Sequence, residues 1–140
     1  FLGDAILAVF GAPHRHDDDP ARAVRCALAM QEAISTVNAE NETEGLPTIQ
    51  HRIALNTGSV IAGNIGSDRR AKYGCVGHAM NVTSRIEGET YPDEILISAN
   101  TRDALPTDAF SFGEARHLSV KGIEDAIVVY PVLGMGISHA

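Results

Sequence analysis

Residues 72–87 read KYGCVGHAMNVTSRIE, and the fold turns on how they are understood. Tyr73 to Val76 is a short β-favouring run. Gly74 and Gly77 interrupt the stretch, and helical spacing then continues to about Tyr91. Each residue advances a helix by roughly 100°. On that wheel Ala79, Val82, Thr83 and Ile86 share one arc, an apolar seat. His78, Asn81, Arg85 and Gly88 share the opposite arc. An Arg offers a rigid fork of donors suited to phosphate oxygens, and an Asn amide adds a donor and an acceptor. By pattern alone the polar arc reads first as a solvated surface.

Working outward, residues 5–10, AILAVF, form a continuous apolar run and predict a buried strand. The loop GAPHRHDDDP follows. Asp19 then Pro20 signals a helix start, with Asp19 as N-cap. That helix is expected to reach about Asn38, with Val24, Ala27, Leu28, Ile34 and Val37 as its core face. HRIALNTGSVIAGNIG predicts a β-hairpin turned around Asn56, Thr57 and Gly58. EILIS predicts a strand and NTRDAL a short helix. FSFGEARHLSVKG and AIVVYPVL predict a final strand pair, and GMGISHA a frayed tail. This order implies an α+β domain with a mixed, mostly antiparallel sheet and helices on one face.

Composition narrows the function. The 140 residues suit one domain. A net charge of −7 argues against a duplex-binding surface, and the strands lack exposed aromatics for base stacking. A small anionic substrate needs only a few local cations. No apolar run approaches the roughly 20 residues of a membrane span, and no signal peptide is visible. Cys26 and Cys75 read as buried thiols of a reducing compartment. The cluster HRHDDD has metal-binding residue types, but Asp19 is better used as a helix cap. Phe1 opens directly on strand-like sequence, as in a chain that begins inside a domain.

VGHAMNVTSRIE resembles the Asn-x-x-x-Arg segment of class III adenylate and guanylate cyclase catalytic domains. FLGDAILAVFGAP is similar to the family's metal-binding strand. ALNTGSVIAGNIGSDRRAKYGCVG is similar to its central hairpin and following loop, and LSVKGIEDAIVVYPVLG to its C-terminal strands. The four segments occur in the family's order across nearly the whole chain. The resemblance implies a ferredoxin-like, palm-type sandwich over residues 1–134 and a tail at 135–140. It also implies that the first strand and helix of the complete cyclase domain are lacking.

The same resemblance implies cyclisation of a nucleoside triphosphate with release of pyrophosphate, assisted by two Mg²⁺ or Mn²⁺ ions. Asp4 matches one of the two metal aspartates; the other has no counterpart here, so this chain alone is expected to be inactive. Asn81 matches the residue that orients the ribose, and Arg85 the one that stabilises charge on the α-phosphate. Lys121 matches the lysine on the terminal phosphates. Such sites form between two catalytic domains, so a homodimer is expected. Gly74 stands where adenylate cyclases usually carry a base-reading Asp or Thr, which leaves backbone groups such as those of Cys75 to contact the base. ATP is preferred over GTP as the expected substrate. His78 replaces an Asp found in many relatives, and the bland reading is a helix-start His with a local partner. A cytoplasmic location without direct membrane contact follows. The rival reading is a degenerate cyclase-like domain that regulates or dimerises without turnover.

Overall fold

The computed structural model describes residues 5–11, 14–65, 72–119 and 127–136. The elements, in chain order, are α1 (Asp19–Thr43), β1 (Arg52–Leu55), β2 (Ile61–Ile65), β3 (Lys72–Val76), α2 (His78–Gly88), β4 (Glu94–Ser98), α3 (Ala99–Asp103), β5 (Phe110–Phe112), β6 (Arg116–Leu118) and β7 (Ile127–Met135). β2 and β3 are described by their backbone.

The main sheet runs β1-β4-β7-β5, with β6 also on β7. β1 and β4 are parallel, and every pairing of β7 is antiparallel. The sheet is therefore mixed and mostly antiparallel, as expected. β7 runs on through Gly134 and Met135, into the stretch expected as tail. Residues 137–140 lie outside the described residues.

Side chains alternate across a strand. Ile95 and Ile97 of β4 therefore face one way and Leu96 the other. Ile95 and Ile97 pack with Ala21, Val24 and Ala27 of α1. Leu96 packs with Ile86 of α2 and Val129 of β7. The expectation of helices on one face is amended on this point: α1 and α2 cover opposite faces. The run ILI in β4 is what a strand buried on both sides requires.

The predicted hairpin at 51–66 is corrected. β1 pairs with β4, Arg52 opposite Glu94, whereas β2 pairs with β3, Ile61 opposite Val76. Residues 56–60 link two different sheets.

Residues 5–10 are a second correction. Ala5 makes one bridge, and the rest forms no strand. Ile6, Leu7 and Phe10 are exposed. Of residues 5–10, Val9 alone is partly buried.

α1 starts at Asp19 and extends to Thr43, beyond the expected end. Its N-cap is Asp18, whose side chain makes no capping bond. Asp19 instead turns its carboxylate back to accept from the His16 backbone N–H at 2.9 Å. Within the HRHDDD cluster, Asp19 also lies near His16 and Arg22, and Asp18 near Arg25. The expected core face holds for Val24, Ala27 and Leu28 and weakens beyond: Ile34 is half-buried and Val37 exposed. Cys26 is an exposed free thiol rather than a buried one.

Candidate functional site

The site is built on the β3–α2 unit. β3 ends at Val76, and the chain must turn at once into a helix. Gly77 makes that turn at φ +148°, a conformation that disfavours any side chain. A Cβ there would also lie 3.3 Å from the Ser59 carbonyl oxygen. α2 follows from His78, with Gly77 as its N-cap and no side-chain cap.

The helical wheel expected for α2 is the one observed. Ile86 is fully buried, Val82 packs against the same cluster, and Ala79 and Thr83 are half-buried. Asn81 and Arg85 are exposed on the other arc, with His78 and Gly88. Spacing of four places Asn81 and Arg85 one turn apart on the same face, with Cβ atoms roughly 6 Å apart. Arg85 is absent from the four ion pairs among the described residues, whose cations are His16, Arg22, Arg25 and Arg116. Among those residues neither side chain makes a hydrogen bond. Among the described residues, the pair thus presents a guanidinium and an amide without partners on the exposed face of α2.

The backbone of Gly74 and Cys75 lies in β3, opposite Gly63 and Ala62 of β2. Gly74, Cys75, Asn81 and Arg85 thus belong to one strand–turn–helix unit. Asp4 and Lys121, the other expected site residues, lie outside the described residues. His78 is exposed, and its ring has no hydrogen-bond partner among the described residues.

An open cavity of about 560 Å³ lies beside the first turn of α2, where β1 and β4 end. Asn56, Ser59, His78, Val82, Asn100 and Ile127 are among its lining residues, and neither Asn81 nor Arg85 is. Its lining residues Thr57 and Ser98 are linked through the buried Thr101 hydroxyl behind them. Thr57 Oγ1 is 2.9 Å from Thr101 Oγ1, which is 3.0 Å from Ser98 Oγ. Ser98 Oγ also accepts from the Thr101 backbone N–H and so caps α3.

Asn56 and Gly58 were missed as site-supporting residues. The Asn56 amide donates to the Ala79 carbonyl of α2 at 3.1 Å. A Cβ on Gly58 would fall 2.6 Å from the Ala79 Cβ. Asn-Thr-Gly is common turn chemistry, and its partner lies 23 residues away, where local pattern does not reach.

Among the described residues no helix is long and apolar enough to cross a membrane, and no group of three or more His, Cys, Asp or Glu could hold a metal ion.

Comparison with known proteins gives these features a context. The sequence is 31% identical over 137 residues to adenylate cyclase 1 of Rhizobium meliloti (strain 1021), covering 96% of this chain and 20% of that one. It is 34% identical over 140 residues to an adenylate cyclase of Anabaena cylindrica, covering 94% and 27%. The chain thus spans about a quarter or less of the length of these relatives. Among solved structures, the guanylyl cyclase Cya2 superposes with a TM-score of 0.90 at 42% identity, over 99% of this chain and 70% of that one. The adenylyl cyclase CyaB from P. aeruginosa superposes with a TM-score of 0.80 at 28% identity, over 89% and 64%. The adenylate and guanylate cyclase catalytic domain matches residues 1–134, and the chain belongs to that family.

Proposed function

We propose that this domain carries part of the active site of a class III nucleotide cyclase, a phosphorus–oxygen lyase serving intracellular signalling. The 3′-hydroxyl of a purine nucleoside triphosphate attacks the α-phosphorus. A 3′-oxygen–phosphorus bond forms, the bond to pyrophosphate breaks, and the hydroxyl proton is released. Asn81 orients the ribose. Arg85 stabilises charge that develops on the α-phosphate, where a preorganised donor acts most strongly. Lys121 holds the terminal phosphates, and the backbone of Gly74 and Cys75 lies beside the base. The carrying observation is the exposed Asn81–Arg85 pair on α2, in a chain of this family. A pair facing outward on one subunit suits a nucleotide held against a second copy, so we propose a homodimer.

Members of this family generally use divalent metal ions. Hard cations of this kind take about six oxygen donors, and Asp4 alone cannot provide them for two ions. The described residues do not form such a site. We place the domain on the cytoplasmic side.

ATP is the first substrate reading. GTP is the second, favoured by the 42% identity to a guanylyl cyclase and by the absence of a side chain at residue 74. The test measures cyclic nucleotide formed from ATP and from GTP, with Mg²⁺ or Mn²⁺. It uses the 140-residue chain and a longer version with whatever its gene encodes before Phe1. Turnover of one nucleotide well above the other identifies the substrate. No turnover of either by the longer version refutes the catalytic reading and leaves the regulatory one.

A further inference from the structure

Asn81 and Arg85 can act only if α2 is held still, and its two ends are held differently. Towards the C-terminus, Ile86 is sunk in the core against Leu96 and Val129, with the partly buried Val82 packed beside it. The first turn has no side-chain cap and, as far as the described residues go, rests on the 56–59 loop. Three contacts make that seat. Asn56 Nδ2 donates to the Ala79 carbonyl, Gly58 abuts the Ala79 methyl, and Gly77 passes close to the Ser59 carbonyl.

We propose that Asn56 is a positioning residue for the Asn81–Arg85 pair. This inference rests on the cyclase reading above. Ala79 stands two residues before Asn81, so its carbonyl is a fixed point on the N-terminal side of the catalytic arc. The Thr83 hydroxyl donates to the same oxygen at 2.7 Å, but from within α2, and so ties the helix only to itself. Asn56 ties it to the rest of the fold. The neighbouring Thr57 hydroxyl meets Thr101, which bonds Ser98 at the end of β4. Two sets of hydrogen bonds, Ser98–Thr101–Thr57 and Asn56–Ala79, joined by the Asn56–Thr57 peptide, thus link the central sheet to the turn that carries Asn81. Without the Asn56 amide, α2 as a whole tilts on its Ile86 anchor, and Asn81 and Arg85 move with it. Misplacement of a catalytic group by 1 Å costs roughly 10²-fold in rate.

The test uses a version of the protein that turns over nucleotide. Wild-type inactivity would refute the cyclase reading, not this inference. Given wild-type turnover, Asn56→Ala lowers kcat by about 10-fold to 10²-fold with KM little changed. Asn56→Asp, which keeps the shape but loses the donor, does the same. Thr83→Val, which removes the bond internal to the helix, leaves kcat near wild type. In an Arg85→Ala background, Asn56→Ala costs a smaller factor than in wild type, because the group it positions is gone. Wild-type kcat in Asn56→Asp, or an undiminished factor in the Arg85→Ala background, would overturn the proposal. Equal losses in Thr83→Val and Asn56→Ala would do so too.

Discussion

Replacing Ile86 with Ala tests whether α2 is seated as described. Ile86 has no exposed surface and packs with Leu96 and Val129, flanked by Ala54, Val82, Leu118 and Ile127. Truncation removes three carbon groups, worth about 2.4 kcal/mol of transfer at about 0.8 kcal/mol each. A cavity term adds to this, because the walls can collapse only in part. Here two walls are the hydrogen-bonded strands β4 and β7, which move little. Better helix propensity of Ala returns roughly 0.5 kcal/mol. The net expectation is a loss of about 3 kcal/mol, a large share of the roughly 5–15 kcal/mol that holds such a domain. Urea unfolding followed by circular dichroism reads it directly. With a slope of about 1–3 kcal/mol/M, the midpoint falls by about 1–3 M with the slope unchanged. Ile86→Val, which deletes one methyl group, falls by about 0.5–1.5 kcal/mol. A loss under about 1 kcal/mol for the Ala variant would mean that α2 is not anchored through Ile86. The outward orientation of Asn81 and Arg85 would then fall with it.

The neighbouring residue behaves in the opposite way: Arg85→Ala changes stability by no more than about 0.5 kcal/mol, since the side chain is exposed and unpaired among the described residues. In a version of the protein that is active, the same variant lowers turnover by roughly 10²–10³-fold, which a cyclic-nucleotide assay would detect; an unaffected rate removes Arg85 from the mechanism. Gly58→Ala destabilises by about 1–3 kcal/mol in thermal unfolding, because the added Cβ would lie 2.6 Å from the Ala79 Cβ. The Gly58→Ala/Ala79→Gly double variant loses less than the sum of the singles, and strict additivity would show that the two residues do not touch.

The parts legible from sequence are those whose physics is local. α2 could be read because an amphipathic helix writes its buried face at a spacing of three and four. Ile86 and Val82 therefore marked their own seat, and Asn81 and Arg85 were left facing out. β4 could be read as a strand, but its full message was not taken. Ile95, Leu96 and Ile97 in succession need apolar partners on both faces, and helices on both faces follow from that run alone.

The loop Asn56-Thr57-Gly58 was misread for a different reason. Turn-forming residues between two β-favouring runs suggest a hairpin because closing a short loop is entropically cheap. The observed pairing joins Arg52 to Glu94 across a long intervening segment. What favours it is the burial of both faces of β4, which a hairpin between β1 and β2 would forgo. The same three residues then serve the site: Asn56 bonds α2, Thr57 meets Thr101, and Gly58 admits Ala79 at close range. Residue types that look like a turn in one dimension are, in three, the mortar between the sheet and the helix that bears the chemistry. Asn and Gly serve both purposes for the same physical reason. One has a short side chain that bonds backbone groups, and the other has no side chain to block an approach.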